Sequence, residues 1–137
     1  MSMTQASSKY FQAIAGQWDQ IRSGYFGEAV RDTAIAKAYL RPEMTATDIG
    51  AGTGFMAAGL APLVQEVHAV DGSAAMLDVA KKNLGDFDNI EYHEADGAHL
   101  PFADASLDAV FANMYLHHTS DPLAAIQEMV RVLRPGG

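Results

Sequence analysis

The chain has no cysteine. That excludes disulfides, thiolate nucleophiles and thiolate metal ligands. It fits a reducing compartment, and a cytoplasmic location is the expectation. Positive charge is also scarce: nine Lys and Arg stand against seventeen Asp and Glu, a formal net charge of −8. The basic residues are scattered, and only Lys81 and Lys82 are adjacent to each other. Nucleic-acid binding by counterion release needs clustered positive charge, so no nucleic-acid partner is expected. The acidic balance favours solubility and would suit a cationic ligand. No apolar run approaches the roughly 18 residues of a membrane span, so none is expected. The first ten residues carry no apolar block of the kind a secretory signal needs. No spacing of His, Asp and Glu suggests a metal site, and there are no repeats or low-complexity stretches. What is present is 137 residues, 49% of them hydrophobic, enough for one domain with one core.

Hydrophobic spacing switches between two periods along the chain. Tyr10, Ile14, Trp18 and Ile21 recur at helical spacing, and Ala29, Val30, Thr33, Ala34 and Ala38 predict a second helical face. Arg41-Pro42 ends that helix, because proline disfavours a helical residue before it. Ala46 to Ile49 reads as a short buried strand. Met56, Leu60, Leu63 and Val64 predict a helix face, closed by Pro62. Val67 to Val70 is a second strand, ending at Asp71. Ser73 is placed to cap the next helix, whose stripe is Met76, Ala80 and Leu84. Ile90 to His93 is a third strand, Asp96 to Asp104 a loop, and Leu107 to Ala112 a fourth strand. Asp121 and Pro122 open a last helix, with Leu123, Ile126, Val130 and Leu133 as its predicted inner face. This rhythm predicts an α/β fold, a doubly wound parallel sheet with helices on both faces.

In such a sheet, ligands bind beyond the carboxyl ends of the strands. Asp48, Asp71, Asp96 and Asn113 all stand near those ends. Gly50, Ala51, Gly52, Thr53 and Gly54 follow the first strand. Glycine at every second position lets a turn pass close to a bound molecule, since no Cβ intervenes. The helix behind the turn would offer unpaired N–H groups. Asp71 follows about 20 residues later, where a carboxylate can accept from ribose hydroxyls. The plain alternative is a solvated turn aspartate. Asp48 would repel a pyrophosphate but welcome an ammonium or sulfonium group. The dinucleotide fingerprint also asks for Gly or Ala where this chain has Phe55. Both details favour a cationic nucleoside cofactor without phosphate, which describes S-adenosylmethionine.

Four stretches in order, Thr47–Phe55, Val70–Leu77, Ala95–Phe102 with Ser106–Phe111, and Arg131–Gly137, resemble class I S-adenosylmethionine-dependent methyltransferases. The nearest resemblance is to the small-molecule group that includes ubiquinone and menaquinone biosynthesis enzymes. It implies a Rossmann-like core over residues 44–137 with strand order 3-2-1-4, and a helical cap over residues 1–43. It implies that Gly50, Ala51, Gly52 and Gly54 pass the methionine part of the cofactor, with Asp48 near its ammonium. Asp71 would hold the ribose, and Gly72 and Met76 would line the adenine. Asp96, Gly97 and Ala98 would read the adenine edge, and Asn113 would face the transferring methyl. S-adenosylhomocysteine would be the product. Met76 as plain core and Asp96 as a loop cap remain open beside these roles. His117 and His118 are the nearest candidates for a catalytic base, should the small-molecule acceptor have to lose a proton. Tyr10, Phe11, Trp18, Arg22 and Tyr25 resemble the cap of such enzymes. Aromatic faces there attract a sulfonium, or else simply anchor the first helix. Glu128 and Arg131 read as a surface helix pair.

The family's pattern continues beyond Arg134-Pro135-Gly136-Gly137 into strands that are missing from this sequence. The fourth strand is then expected to be an exposed apolar edge. Either the chain is a fragment of a longer enzyme, which is the expectation, or a partner such as a second copy in a homodimer covers that edge. Two rival functions stay in view. A nicotinamide-dependent oxidoreductase would bind NAD instead, and a non-catalytic cofactor-binding subunit would bind without methyl transfer.

Overall fold

The computed structural model describes residues 27–113, 115–116 and 119–137. The helix predicted from Tyr10 to Ile21, the aromatic cap residues and His117 and His118 lie outside them. The described elements are α1 (Glu28–Lys37), β1 (Thr45–Ile49), α2 (Phe55–Leu60), β2 (Glu66–Asp71), α3 (Ala74–Asn83), β3 (Ile90–Glu94), β4 (Ala109–Ala112) and α4 (Pro122–Val132). The strands form one parallel sheet in the order β3-β2-β1-β4. Ile49 pairs with Val70 and Ala112, and Asp71 pairs with Glu94, so the carboxyl ends line up along one edge. This is the Rossmann-like order expected from the sequence.

Strand alternation sends successive side chains to opposite faces. On one face Ala46 and Val67 pack with Met56, Leu60, Ala80, Leu84 and Ile35. On the other, Ile49 and Val70 pack with Leu107, Tyr115, Ala125 and Val132. The central strands are buried from Ala46 to Ile49 and from Val67 to Asp71, while β3 and β4 are partly exposed. Among the described residues no helix is long and apolar enough to cross a membrane.

Four expectations need correction. In α1 the buried residue is Ile35, and Val30 is exposed. Gly59 carries no Cβ, which lets Ile35 and Arg31 approach α2 closely; an added Cβ would lie 2.8 Å from Ile35 Cδ1. The helix after the glycine loop stops at Leu60, so Leu63 is exposed. Its C-cap, Ala61, stands directly before Pro62, as expected, and the Asn89 side-chain amide donates to the carbonyls of Ala61 at 2.8 Å and Val64 at 3.2 Å, stapling the turn into β2. The fourth strand begins at Ala109; Leu107 makes an isolated parallel bridge to Leu133 instead. In α4 the predicted inner face is turned outward. Leu123, Ile126 and Val130 are exposed, whereas Ala125 and Val132 are buried. The helix carries two apolar stripes, and the orientation that buries Ala125 and Val132 also lets Glu128 and Arg131 bond the loop before β4.

Those bonds also correct the reading of Glu128 and Arg131 as a surface pair. Arg131 binds Glu128 at 2.6 and 3.0 Å, Asp104 at 2.7 Å, and donates to the carbonyls of Phe102 at 2.8 Å and Leu100 at 3.1 Å. Glu128 accepts from the Leu100 amide at 2.8 Å. This network holds the loop after β3 against α4. The Arg131 guanidinium holds the Glu128 carboxyl below its ordinary range.

Candidate functional site

The loop after β1 is clamped onto the end of β2. The amides of Gly50 and Ala51 both donate to the Val70 carbonyl, at 2.8 and 3.0 Å. Gly52 N–H donates to Asp71 Oδ2 at 2.9 Å, and Ser73 N–H to Asp71 Oδ1 at 2.8 Å. Asp71 therefore fixes the glycine loop behind it and the start of α3 ahead of it. Ser73 caps α3 as expected, its side chain accepting from Met76 N–H at 3.3 Å.

The glycines answer to the protein's own packing as well as to any ligand. Gly50 has φ 71° and Gly54 has φ 96°, both in the left-handed region. An added Cβ at Gly50 would lie 2.6 Å from Tyr115 Cδ1, and one at Gly54 would lie 2.6 Å from Leu84 Cδ1. Either side chain would be strained by backbone and by contact at once.

Two carboxyls sit at this end of the sheet. Asp48 is 2% exposed, and its Oδ2 is a buried side-chain oxygen without a hydrogen-bond partner among the described residues. Burial, reinforced by the neighbouring Asp71 carboxylate, pushes the Asp48 pKa up to about 8, against an opposing backbone hydrogen bond from Ala57. Burial also raises Asp71, while the amides of Gly52 and Ser73 pull it back. An unpartnered carboxyl in a low-dielectric site is costly to ionise. Among the described residues no Lys, Arg or His forms an ion pair with either carboxyl.

The remaining predicted residues gather around the same edge. Gly72 is exposed at the end of β2, Ala51 is buried, and Asn113 is half-buried immediately after β4. Met76 is 2% exposed on the inner stripe of α3. Asp96 Oδ1 accepts from Ala98 N–H at 2.9 Å, so it caps its own loop. Gly97 N–H donates to the Tyr115 hydroxyl at 3.2 Å. Tyr115 has a structural role that the sequence did not show. It packs on Gly50 and Gly97 together, and a Cβ added at Gly97 would strike its hydroxyl. It thus closes the gap between the glycine loop and the Asp96 loop. The one signal was an aromatic residue just after the fourth strand.

Away from this edge, His93 has a partner on the neighbouring strand. Its Nε2 lies 2.9 Å from His68 Nδ1, across the β2–β3 pair.

Residues 47–137 match the family model described as a methyltransferase domain. The chain is 35% identical over 136 residues to the ubiquinone/menaquinone biosynthesis C-methyltransferase UbiE of Coxiella burnetii, covering 93% of this chain and 54% of that protein. It is 33% identical over 135 residues to the demethylmenaquinone methyltransferase of Staphylococcus aureus, covering 94% and 56%. The crystal structure of YcgJ from Bacillus subtilis superposes with a TM-score of 0.76 at 34% identity, covering 78% of this chain and 47% of that one. The chain spans about half the length of the curated relatives it matches. Clamped glycine loop, paired aspartates, sheet order and sequence relationship agree: this chain belongs to the class I S-adenosylmethionine-dependent methyltransferases.

Proposed function

We propose that the chain binds S-adenosylmethionine beyond the carboxyl ends of β1 to β3 and serves methyl transfer to a small-molecule acceptor. The single observation that carries this reading is Asp48 Oδ2, unpartnered among the described residues and buried within electrostatic reach of Asp71. A cationic amino-acid tail fits that deficit, and a pyrophosphate would aggravate it. Asp71 uses one acceptor position on each oxygen for backbone amides. A carboxylate oxygen has a second, so the ribose hydroxyls can still be held.

Asp96, Gly97 and Ala98 would meet the adenine edge, with Gly72 and Met76 along the ring. Gly50, Ala51, Gly52 and Gly54 would pass the methionine part, and Asn113 would face the acceptor side. The bound cofactor supplies an activated methyl group for in-line displacement. The chain's share of the work is alignment, which effective-molarity arguments allow to lower a barrier by up to ~7–11 kcal/mol. The Val70 carbonyl and the Asp71 carboxylate hold the loop, and a loop held by the protein itself leaves less ordering to binding. His117 and His118 are proposed as the base, where the acceptor must lose a proton. The names of the relatives support a quinone precursor as acceptor, and that of the Coxiella burnetii protein a carbon as the acceptor atom.

Calorimetric titration of the whole chain with S-adenosylhomocysteine, and separately with NAD, tests the cofactor. One-to-one binding of the first, weakened by Asp71→Ala, is expected. Tight binding of NAD alone would overturn the proposal. Transfer of labelled methyl to demethylated quinone precursors tests the acceptor, and binding without transfer to any acceptor would favour a non-catalytic role.

A further inference from the structure

On the α4 side of the sheet, away from the Asp48–Asp71 edge, β2 and β3 bring three metal-type donors together. His68 and Glu91 are directly paired in the parallel register, and His93 lies two residues further along β3 on the same face. His68 Nδ1, His93 Nε2 and a Glu91 carboxylate oxygen all lie within 4.8 Å of one another. Glu91 Oε2 is 3.2 Å from His68 Nδ1 and 3.9 Å from His93 Nε2.

The surroundings prepare these atoms as ligands. Glu66 Oε1 lies 2.6 Å from His68 Nε2. With Nε2 donating to that carboxylate, Nδ1 is the ring nitrogen turned toward Glu91 and His93. This is the carboxylate–histidine arrangement that orients metal-bound imidazoles. The Phe102 ring packs edge-on against both imidazoles, at centroid distances of 5.0 Å from His68 and 5.2 Å from His93.

We propose that His68, Glu91 and His93 form a binding site for a first-row divalent cation of the zinc type, with Glu66 as the positioning residue behind His68. Two imidazoles and one carboxylate match zinc-class donors and not the all-oxygen sets of calcium and magnesium. Two nitrogens bound tetrahedrally to one zinc stand roughly 3.3 Å apart. The present 2.9 Å contact needs only a small opening to reach that spacing. His68 is nearly buried while Glu91 is 61% exposed, so the donors combine a rigid base with an open entry path. Water would complete the coordination. The cation would tie the edge strand β3 to β2.

The test uses the full chain without a histidine tag. Zinc is titrated calorimetrically, with no methyltransferase cofactor present, and cobalt serves as an absorbing probe. One equivalent per chain is expected, with the intense visible bands of four-coordinate cobalt. His93→Gln and Glu91→Gln, both on the more exposed strand, should each weaken zinc at least about tenfold, and Glu66→Gln about 10–100-fold. His99→Ala, on the exposed surface, should change nothing. Circular dichroism of each variant separates loss of the site from loss of the fold. Absence of a one-equivalent zinc event would overturn the proposal. Equal zinc affinity in folded His93→Gln and Glu91→Gln proteins would do so as well.

Discussion

The two sides of the sheet treat their apolar residues differently. Where α2 and α3 cover β1 and β2, Met56, Leu60, Ala80 and Leu84 are buried to 5% exposure or less. On the side of α4, the predicted stripe Leu123, Ile126 and Val130 is 43–67% exposed. The amino acids are of the same kind on both sides. What differs is the cover. A helix buries an apolar stripe only where a neighbour lies against it: α4 turns Ala125 and Val132 to the sheet, and in that orientation Arg131 reaches the carbonyls of Leu100 and Phe102.

Substitutions can break this contrast. The largest effect is expected at the covered side. Leu60→Ala should destabilise by about 2–5 kcal/mol, read as a fall in the denaturation midpoint. A change no greater than that of a surface mutant would show the two sides to be equally loose. At the strand ends, Asp71→Ala should weaken S-adenosylhomocysteine by about 1.5–3 kcal/mol, the range for a lost charged hydrogen bond. Because Asp71 also holds Gly52 and Ser73, faster amide exchange in the glycine loop should accompany that loss. Arg131→Ala should cost about 1.5–3 kcal/mol at most, since the guanidinium is a third exposed and solvent screens part of its interaction. Its signature is increased exchange across residues 96–108, next to a quiet α3.

Asp48→Asn sharpens the comparison through pH. The folded carboxyl has its pKa raised from an ordinary 3.8 to about 8, so between those values the folded state keeps a proton that the unfolded chain releases. Its contribution is therefore fully present below pH ~4 and is lost as pH rises towards 8. Asp48→Asn removes that slope. It should stabilise the ligand-free protein at pH 8 by at least about 1 kcal/mol while weakening the cofactor. Parallel melting curves for both proteins from pH 5 to pH 8 check it; a constant gap would refute the raised pKa. The smallest effect belongs to the uncovered stripe. Ile126→Ser should shift stability by no more than about 0.5 kcal/mol.

Much of the site was legible as sequence. Asp71 was recognisable by its distance from the glycines, and the structure adds that it ties Gly52 and Ser73 together. Ser73 and Asp121 cap their helices through local bonds that a sequence shows directly. Tyr115 was not legible, because its partners Gly50 and Gly97 come from other loops. The His68–Glu91–His93 cluster escaped for a similar reason: its donors become neighbours only through the β2–β3 register.

By itself the sequence determined the alternation of strands and helices, the caps, the glycine turn and the acids near the strand ends. All of these depend on residues a few positions apart, where hydrogen-bonding chemistry and side-chain period act without distant help. Only the tertiary structure decided which stripe of α4 turns inward, how far Asp48 is shifted, and which histidines meet. Those outcomes depend on burial and on contacts between segments far apart in the chain, and no local pattern encodes the distance between two side chains on different strands.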